Sequence, residues 1–335
     1  MAIQTNSQNT FAAIGIREDL TDIVALIDPQ ETPFISAIGS AVVSTQTKHE
    51  WQVQPLAAAS KTNFQLEGDD AVSASAAQAR VRIFNYAAIS AKIGSVTGTM
   101  KAVDVAGISN ELDNQKMLKA VELRRDMEVI LLDNNAYVAG SAGTARECAG
   151  IAAYITNTDF TGADLWTVGS GTGGTAWNLT ATTARAMSLT ILNGAVKEAY
   201  IDGGKPDLLL LSPTQRINFA NLTLNSSLGG AAQIRYNFNS PKAAALITAV
   251  DTWVSHMGTL AVMTDIQMAS DTATTNGLDD TAYIVDTSKA GVSYLRGMQT
   301  FELAKTGDAD KFEVLAEYTL QVDAPKAHAA LFALS

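Results

Sequence analysis

Near the C-terminus, two arms of alternating apolar and polar residues flank a polar, glycine-containing loop, and this pattern constrains the fold more than any other stretch. One arm carries Phe301 and Leu303; the other carries Phe312, Val314, Ala316, Tyr318, Leu320 and Val322, with Gly307 in the loop between them. Alternation places successive side chains on opposite faces of a strand, so the pattern predicts a long β-hairpin. Nothing in it points to catalysis.

At 335 residues the chain exceeds the size at which a single core stops growing, and two lobes are expected. Charged residues make up only 17%, against about 25% in an ordinary soluble domain. Such a surface suits one covered by neighbours. The net charge of −11 argues against general nucleic-acid binding, which needs clustered Lys and Arg. A single cysteine, Cys148, excludes an intrachain disulfide and fits folding in a reducing cytoplasm. No apolar run approaches the ~18 residues of a membrane span. The N-terminus lacks the basic-then-apolar order of a secretory signal.

Residues 1–16 are polar and irregular. Arg17–Asp28 then places Leu20, Ile23, Val24 and Ile27 on one helical face, and Pro29 stops it. A second short helix opens at Thr32-Pro33, with Phe34, Ile35 and Ile38 apolar and Gly39 at its end. Two β-like stretches, 47–56 and 80–93, flank a long polar middle, which predicts an extended hairpin with a projecting tip. Asn110–Ala139 holds no Gly or Pro, which predicts a helix over 109–138 of roughly 40 Å. Its apolar stripe is Leu112, Leu118, Val121, Met127, Ile130, Leu131 and Val138. Its charge pairs are Lys119 with Glu122, Glu122 with Arg125, and Arg124 with Glu128. A strand is expected near 150–156, a helix over 180–201, a buried strand at 207–211 and a helix opened by the capping box Ser212-Pro-Thr-Gln215. A hairpin over 245–264 and a strand at 282–286 complete a second α/β lobe.

Several of these stretches together resemble one family, the tailed-phage major capsid proteins of the Hong Kong 97 type. The resemblance is to the branch that begins with an (R/K)-E-D-L-x-D-I helix and a T-P-F turn, here Arg17-Glu-Asp-Leu-Thr-Asp-Ile23 and Thr32-Pro-Phe34. His49-Glu-Trp51, Lys205-Pro-Asp-Leu208, Glu302-Leu-Ala-Lys-Thr-Gly-Asp-Ala309, Glu317-Tyr-Thr-Leu320 and Lys326-Ala-His328 (taken as a last strand) follow in the family's order. The resemblance implies an α+β capsid fold: an N-terminal arm (1–40), an extension loop (41–96), a peripheral domain (97–178 and 281–335) with a spine helix (109–138), and an axial domain (179–280). It implies a subunit that self-assembles into pentamers and hexamers of an icosahedral head around double-stranded DNA bound without sequence specificity. Portal and scaffolding proteins are the implied partners, with decoration proteins as a further option. The implied location is the virion, after assembly in the host bacterial cytoplasm. No charged helical segment precedes the arm here, which the resemblance reads as a separate scaffolding protein or as a segment trimmed from the front of the sequence. The expected intersubunit contacts are Leu20, Ile23, Ile27, Phe34, Trp51, Lys61, Phe64 and Leu66. Lys61 is also the loop lysine that would serve a crosslink of the kind some relatives make. An encapsulin-like nanocompartment and, further off, an α/β metabolic enzyme are the alternatives.

Other chemistry is weakly marked, and no catalytic residue, metal or cofactor is expected. Gly169-Ser-Gly-Thr-Gly-Gly174 matches the string of a dinucleotide loop, but Thr175-Ala-Trp-Asn-Leu-Thr is a poor helix start. His49, His256 and His328 lie far apart, with no metal-ligand neighbour at helical spacing. Cys148 has no base beside it. Asp279-Asp280 and Asp308-Ala-Asp310 lack the ligand count of a calcium loop.

Overall fold

The computed structural model describes residues 30–64, 67–68, 77–103, 105, 107–156, 170–177, 185–224, 251–270, 277–305 and 307–334. In chain order the elements are α1 (Pro33–Ile38), β1 (Lys48–Val53), β2 (Val81–Tyr86), β3 (Ala88–Thr97), α2 (Gly98–Ala102) and α3 (Glu111–Leu132). Then follow α4 (Leu189–Ile201), β4 (Leu208–Leu211), α5 (Pro213–Leu224), β5 (Thr252–Ser255), β6 (Gly258–Thr264), β7 (Ala282–Val285), β8 (Ala290–Leu303), β9 (Ala309–Val322) and β10 (Ala329–Leu331).

The expected tail hairpin is β8–β9, paired antiparallel from Ala290↔Val322 to Leu303↔Lys311. On its other side β9 pairs antiparallel with β3, so β9 is the middle strand of three. Phe312, Val314, Ala316, Tyr318, Leu320 and Val322 are fully buried and share one core with Leu123, Met127 and Leu131 of α3. Burying side chains of this kind stabilises by roughly 1.5–3 kcal/mol each. On the opposite face Glu317 accepts from Arg146 at 2.6 Å and Arg296 at 2.8 Å. β8 is the outer strand. Its first half is covered by the chain after α1, with Ala41 N donating to Val292 O and Ser44 N to Tyr294 O. Register shifts follow at Tyr294/Arg296 and Arg296/Gln299, and beyond them the edge is exposed through Glu302. Bulges of this kind bend an edge strand and turn its free edge away from further partners, while the pairing with β9 continues to Leu303.

The second lobe is a five-stranded sheet ordered β10-β7-β4-β6-β5, with β4 and β6 parallel. All four leucines of β4 are buried, because the sheet is covered on both faces. Leu208 and Leu210 join the core of the first lobe, whereas Leu209 and Leu211 pack with Leu192 and Val196 of α4 and Phe219 of α5. The capping box forms in part. Ser212 Oγ accepts from Gln215 N, but the Gln215 side chain donates to Leu334 O, tying α5 to the C-terminal segment.

Five expectations are corrected. The long helix runs only from 111 to 132, because Asn110 caps its start and a polar run ends it. Asp133 bonds to Asn134 N, Asn134 exchanges two hydrogen bonds with Trp177, and Asn135 bonds to Cys148 O and Gly150 N. Asp and Asn offer the backbone local partners and so stop helices. Val138 therefore lies outside the helix and bridges to Glu147. Residues 150–156 form a buried 3₁₀ turn at 151–153 instead of a strand. The stretch 80–93 is two strands: β2 stays in the hairpin, while β3 crosses to β9. Lys326-Ala-His328 is a 3₁₀ turn leading into β10, which pairs with β7 in the second lobe. The helix over 180–201 begins at Leu189, capped by Ser188.

Gly150 marks where the helix end and the buried turn meet. A Cβ there would lie 2.0 Å from the main-chain oxygen of Asp133, whereas one at Gly143 would meet nothing within 4 Å. Gly150→Ala is expected to lower unfolding stability by about 1–3 kcal/mol, and Gly143→Ala to stay within about 0.5 kcal/mol. Denaturant midpoints of the two variants check this.

Candidate functional site

The sequence puts its expected contacts on two stretches, the hairpin β1–β2 with its loop and the segment leading into and through α1. The hairpin is held at its base. β1 and β2 pair from Lys48↔Tyr86 to Val53↔Val81, and a two-stranded hairpin alone is marginal. Its inward side chains fix it to the body. Trp51 Nε1 donates to Val322 O at 2.8 Å, and its ring lies 5.9 Å from that of Tyr154. Asn85, fully buried, donates to Ala149 O and Leu320 O and accepts from Ala149 N and Tyr86 N. Tyr154 donates its hydroxyl to Phe84 O, and His49 is hydrogen-bonded to Gln321. Beyond the strands Arg80 donates to Gln54, and cover from the body ends there. Leu56 is 94% and Phe64 88% exposed, and Lys61 is exposed beside them. Two large apolar side chains of the loop thus stand in solvent.

The second piece is clamped by the spine helix α3. Thr32 stands at the N-cap of α1, but its side chain makes no cap bond. Glu128 takes that role from 94 residues away, accepting from Phe34 N at 2.6 Å and Ile35 N at 2.9 Å. A carboxylate at a helix start meets unpaired N–H groups and the positive end of the dipole. Arg124, one turn earlier, donates to Thr32 Oγ1 and Ser36 Oγ. Arg125 donates to Gln267, whose own side chain donates to Glu31 O. Of the three expected charge pairs on this helix, Lys119–Glu122 forms at 2.8 Å, while Arg124, Arg125 and Glu128 are directed to α1 and Gln267 instead. Glu128 is fully buried and faces the buried carboxyl of Asp265. Burial, and then the charge of Asp265, push its carboxyl up to about 8.

The eight expected contact residues therefore separate. Phe34 and Trp51 are buried in the subunit's own core. Their side chains hold α1 and the hairpin base in place and are not presented outward, which corrects the expectation for these two. Lys61 and Phe64 are exposed on the loop. Leu20, Ile23, Ile27 and Leu66 lie outside the described residues. Asn85 and Glu128, the groups that fix the two pieces, were not singled out from the sequence.

Elsewhere the arrangement offers little chemistry. Ser170 Oγ accepts from the amides of Thr172, Gly174 and Thr175, so the glycine loop turns these donors inward and away from any phosphate. Cys148 is fully buried, and burial pushes its thiol up to about 12. Among the described residues no group of three or more His, Cys, Asp and Glu is placed to hold a metal ion, and no helix is long and apolar enough to cross a membrane.

Comparison with known proteins decides what such a scaffold is. A model of the SU10 major capsid protein family matches residues 3–335. The chain belongs to the SU10 major capsid protein family. A curated relative, the major capsid protein of Escherichia phage Phieco32, is 30% identical over 122 residues, which is 36% of this chain and 34% of that protein. The match thus spans about a third of the relative's length. Similar solved structures include the capsid asymmetric unit of cyanophage A-1(L), with a TM-score of 0.63 at 12% identity over 95% of this chain and 97% of that one. The capsid of a native GTA particle gives 0.60 at 14% identity over 99% and 100%. Mycobacterium phage Bobi gives 0.55 at 14% identity over 95% of both chains. The α+β fold is thus of the Hong Kong 97 type. In this SU10-family chain the hairpin β1–β2 lies within the stretch expected as the extension loop, and α3 within that expected as the spine helix.

Asn85→Asp tests the hairpin anchor. The new carboxylate would face the carbonyls of Ala149 and Leu320, which now accept from the amide. It is expected to cost about 2–4 kcal/mol by leaving buried groups unpaired and to speed proteolysis between residues 54 and 80. Denaturant unfolding and timed digestion measure the two effects.

Proposed function

We propose that this chain is the major capsid protein of a tailed phage, self-assembling into pentamers and hexamers of an icosahedral head that encloses double-stranded DNA. The observation that carries this reading is the family match over 3–335, joined to a capsid-type fold over nearly the whole chain. The division proposed is an arm at 1–40, an extension loop at 41–96, a peripheral domain at 97–178 and 281–335, and an axial domain at 179–280.

The physical basis is incompleteness of the single subunit. The loop exposes Leu56 and Phe64 on a base held by Trp51 and Asn85. Such side chains gain most when another copy covers them. Lys61, Phe64 and Leu66 on the loop and Leu20, Ile23 and Ile27 in the arm are the proposed contacts with neighbouring copies, and many modest contacts sum through multivalency. The net charge of −11 suits a wall that does not hold DNA by its sequence. Portal, scaffolding and decoration proteins are the proposed partners, with assembly in the bacterial cytoplasm and residence in the virion.

Replacing Leu20 and Ile23 together by Asp, or Phe64 alone by Asp, is expected to lower the yield of closed shells roughly tenfold or more, the effect of losing about 1.4 kcal/mol at a contact. Phe64→Asp is expected to leave subunit unfolding unchanged, because the side chain is exposed. Negative-stain microscopy and sedimentation of purified particles provide the measurement. Full-size shells at normal yield from both variants would overturn the contact assignment. Shells filled with protein cargo instead of DNA would favour a nanocompartment.

A further inference from the structure

The junction around Glu128 joins three separate parts of the chain. Glu128 caps α1 through Phe34 N and Ile35 N. Asp265, at the end of β6, is fully buried; its Oδ1 accepts from Gln267 N at 2.8 Å, its Oδ2 meets no N–H donor among the described residues, and its carboxyl lies against that of Glu128. Asp265 N donates to Leu211 O, so its turn is fixed to β4 of the second lobe. Two carboxyl groups thus meet in a buried place where the spine helix touches that lobe.

The surroundings do not neutralise a second charge. Arg124 is engaged by Thr32 and Ser36, and Arg125 by Gln267. Lys92 on β3 pairs with Asp126 at 2.5 Å. Tyr283 on β7 gives its hydroxyl to Leu132 O, Tyr318 on β9 is bonded to Ser90, and Tyr294 on β8 lies near Arg124. Glu31 contributes its main-chain oxygen to Gln267. Two like charges in one buried site cannot both be ionised without a large cost.

We propose that one proton held between Glu128 and Asp265 tightens the turn 265–267 against the spine helix, and that loss of this proton loosens the turn, which Arg125 still tethers through Gln267, while α1 stays in place. The asymmetry follows from the hydrogen bonds. An ionised Glu128 binds the two N–H groups of α1 more strongly, whereas it repels Asp265. Glu128 sits at about 8, well above the ordinary range near 4.3, because of burial and the neighbouring carboxyl. The closed junction therefore binds a proton that the opened junction releases. Closure is favoured at low pH, weakens as pH rises above the ordinary glutamate range, and its weakening is complete above about 8. For a shell, a consequence that rests on the function proposed above, pH would then set how firmly each subunit's two lobes are joined.

Hydrogen exchange on the full chain tests the lock, with shells counted by microscopy in the same samples so that a failure to assemble is scored separately. The protection factor of the Gln267 amide is expected to fall by up to about tenfold per pH unit between pH 5 and 8 and then level off, the slope for one proton. The amides of Phe34, Ile35 and Leu131 are expected to keep theirs. Asp265→Asn, which preserves shape and removes the charge, is expected to give high, flat protection at Gln267. A flat profile in the native chain would overturn the proposal, as would loss of protection at Phe34 and Ile35 in parallel with Gln267. A persisting slope in Asp265→Asn would also overturn it. The native profile stands by itself if that variant fails to fold.

Discussion

The root of the loop and the spine helix are both fixed to β9. One face of the strand is apolar and buried by α3, which sets the orientation of the spine helix. Its main-chain carbonyls at Leu320 and Val322 accept from Asn85 and Trp51, which sets the base of the loop. Glu317 gathers Arg146 and Arg296, and Gln321 holds His49. A strand that is central in its sheet and covered on both faces cannot shift register without exposing apolar groups and breaking these bonds together. The loop tip can therefore be free of cover while its root is fixed.

Legibility in the sequence follows the range of the forces involved. The tail hairpin was readable because alternation is local and long. β4 was readable as a run of four leucines, and α5 from its cap, since Ser212 acts on an amide three residues away. The ends of the spine helix were not, because Asn134 and Asn135 stop it through partners at Trp177, Cys148 and Gly150. Residues 150–156 carry no clear period, and tertiary packing decided their turn.

The functional pieces divide the same way. The exposed Phe64 in a polar stretch was visible from composition. Asn85 left a trace that sequence reasoning passed over: it follows Val81 and Ile83 in register on a strand where Ile83 is buried, so a polar side chain had to face inward. Glu128 sits between Met127 and Leu131 on the buried side of its helix. Its partners are the amides of Phe34 and Ile35 and the carboxyl of Asp265, which no local pattern can point to. Phe34 and Trp51 were taken for outward contacts because apolar residues on short elements look alike whether they anchor a piece to its own body or to another.

The burial of Cys148 has a practical side. The chain has no other sulfhydryl, and this one is sealed from solvent with its ionisation suppressed. A cysteine introduced at the exposed position of Lys61 would be the sole thiolate that maleimides or gold reagents reach at neutral pH. Site-specific dyes, spin labels or tethered ligands could then be attached to the loop without first deleting the native residue.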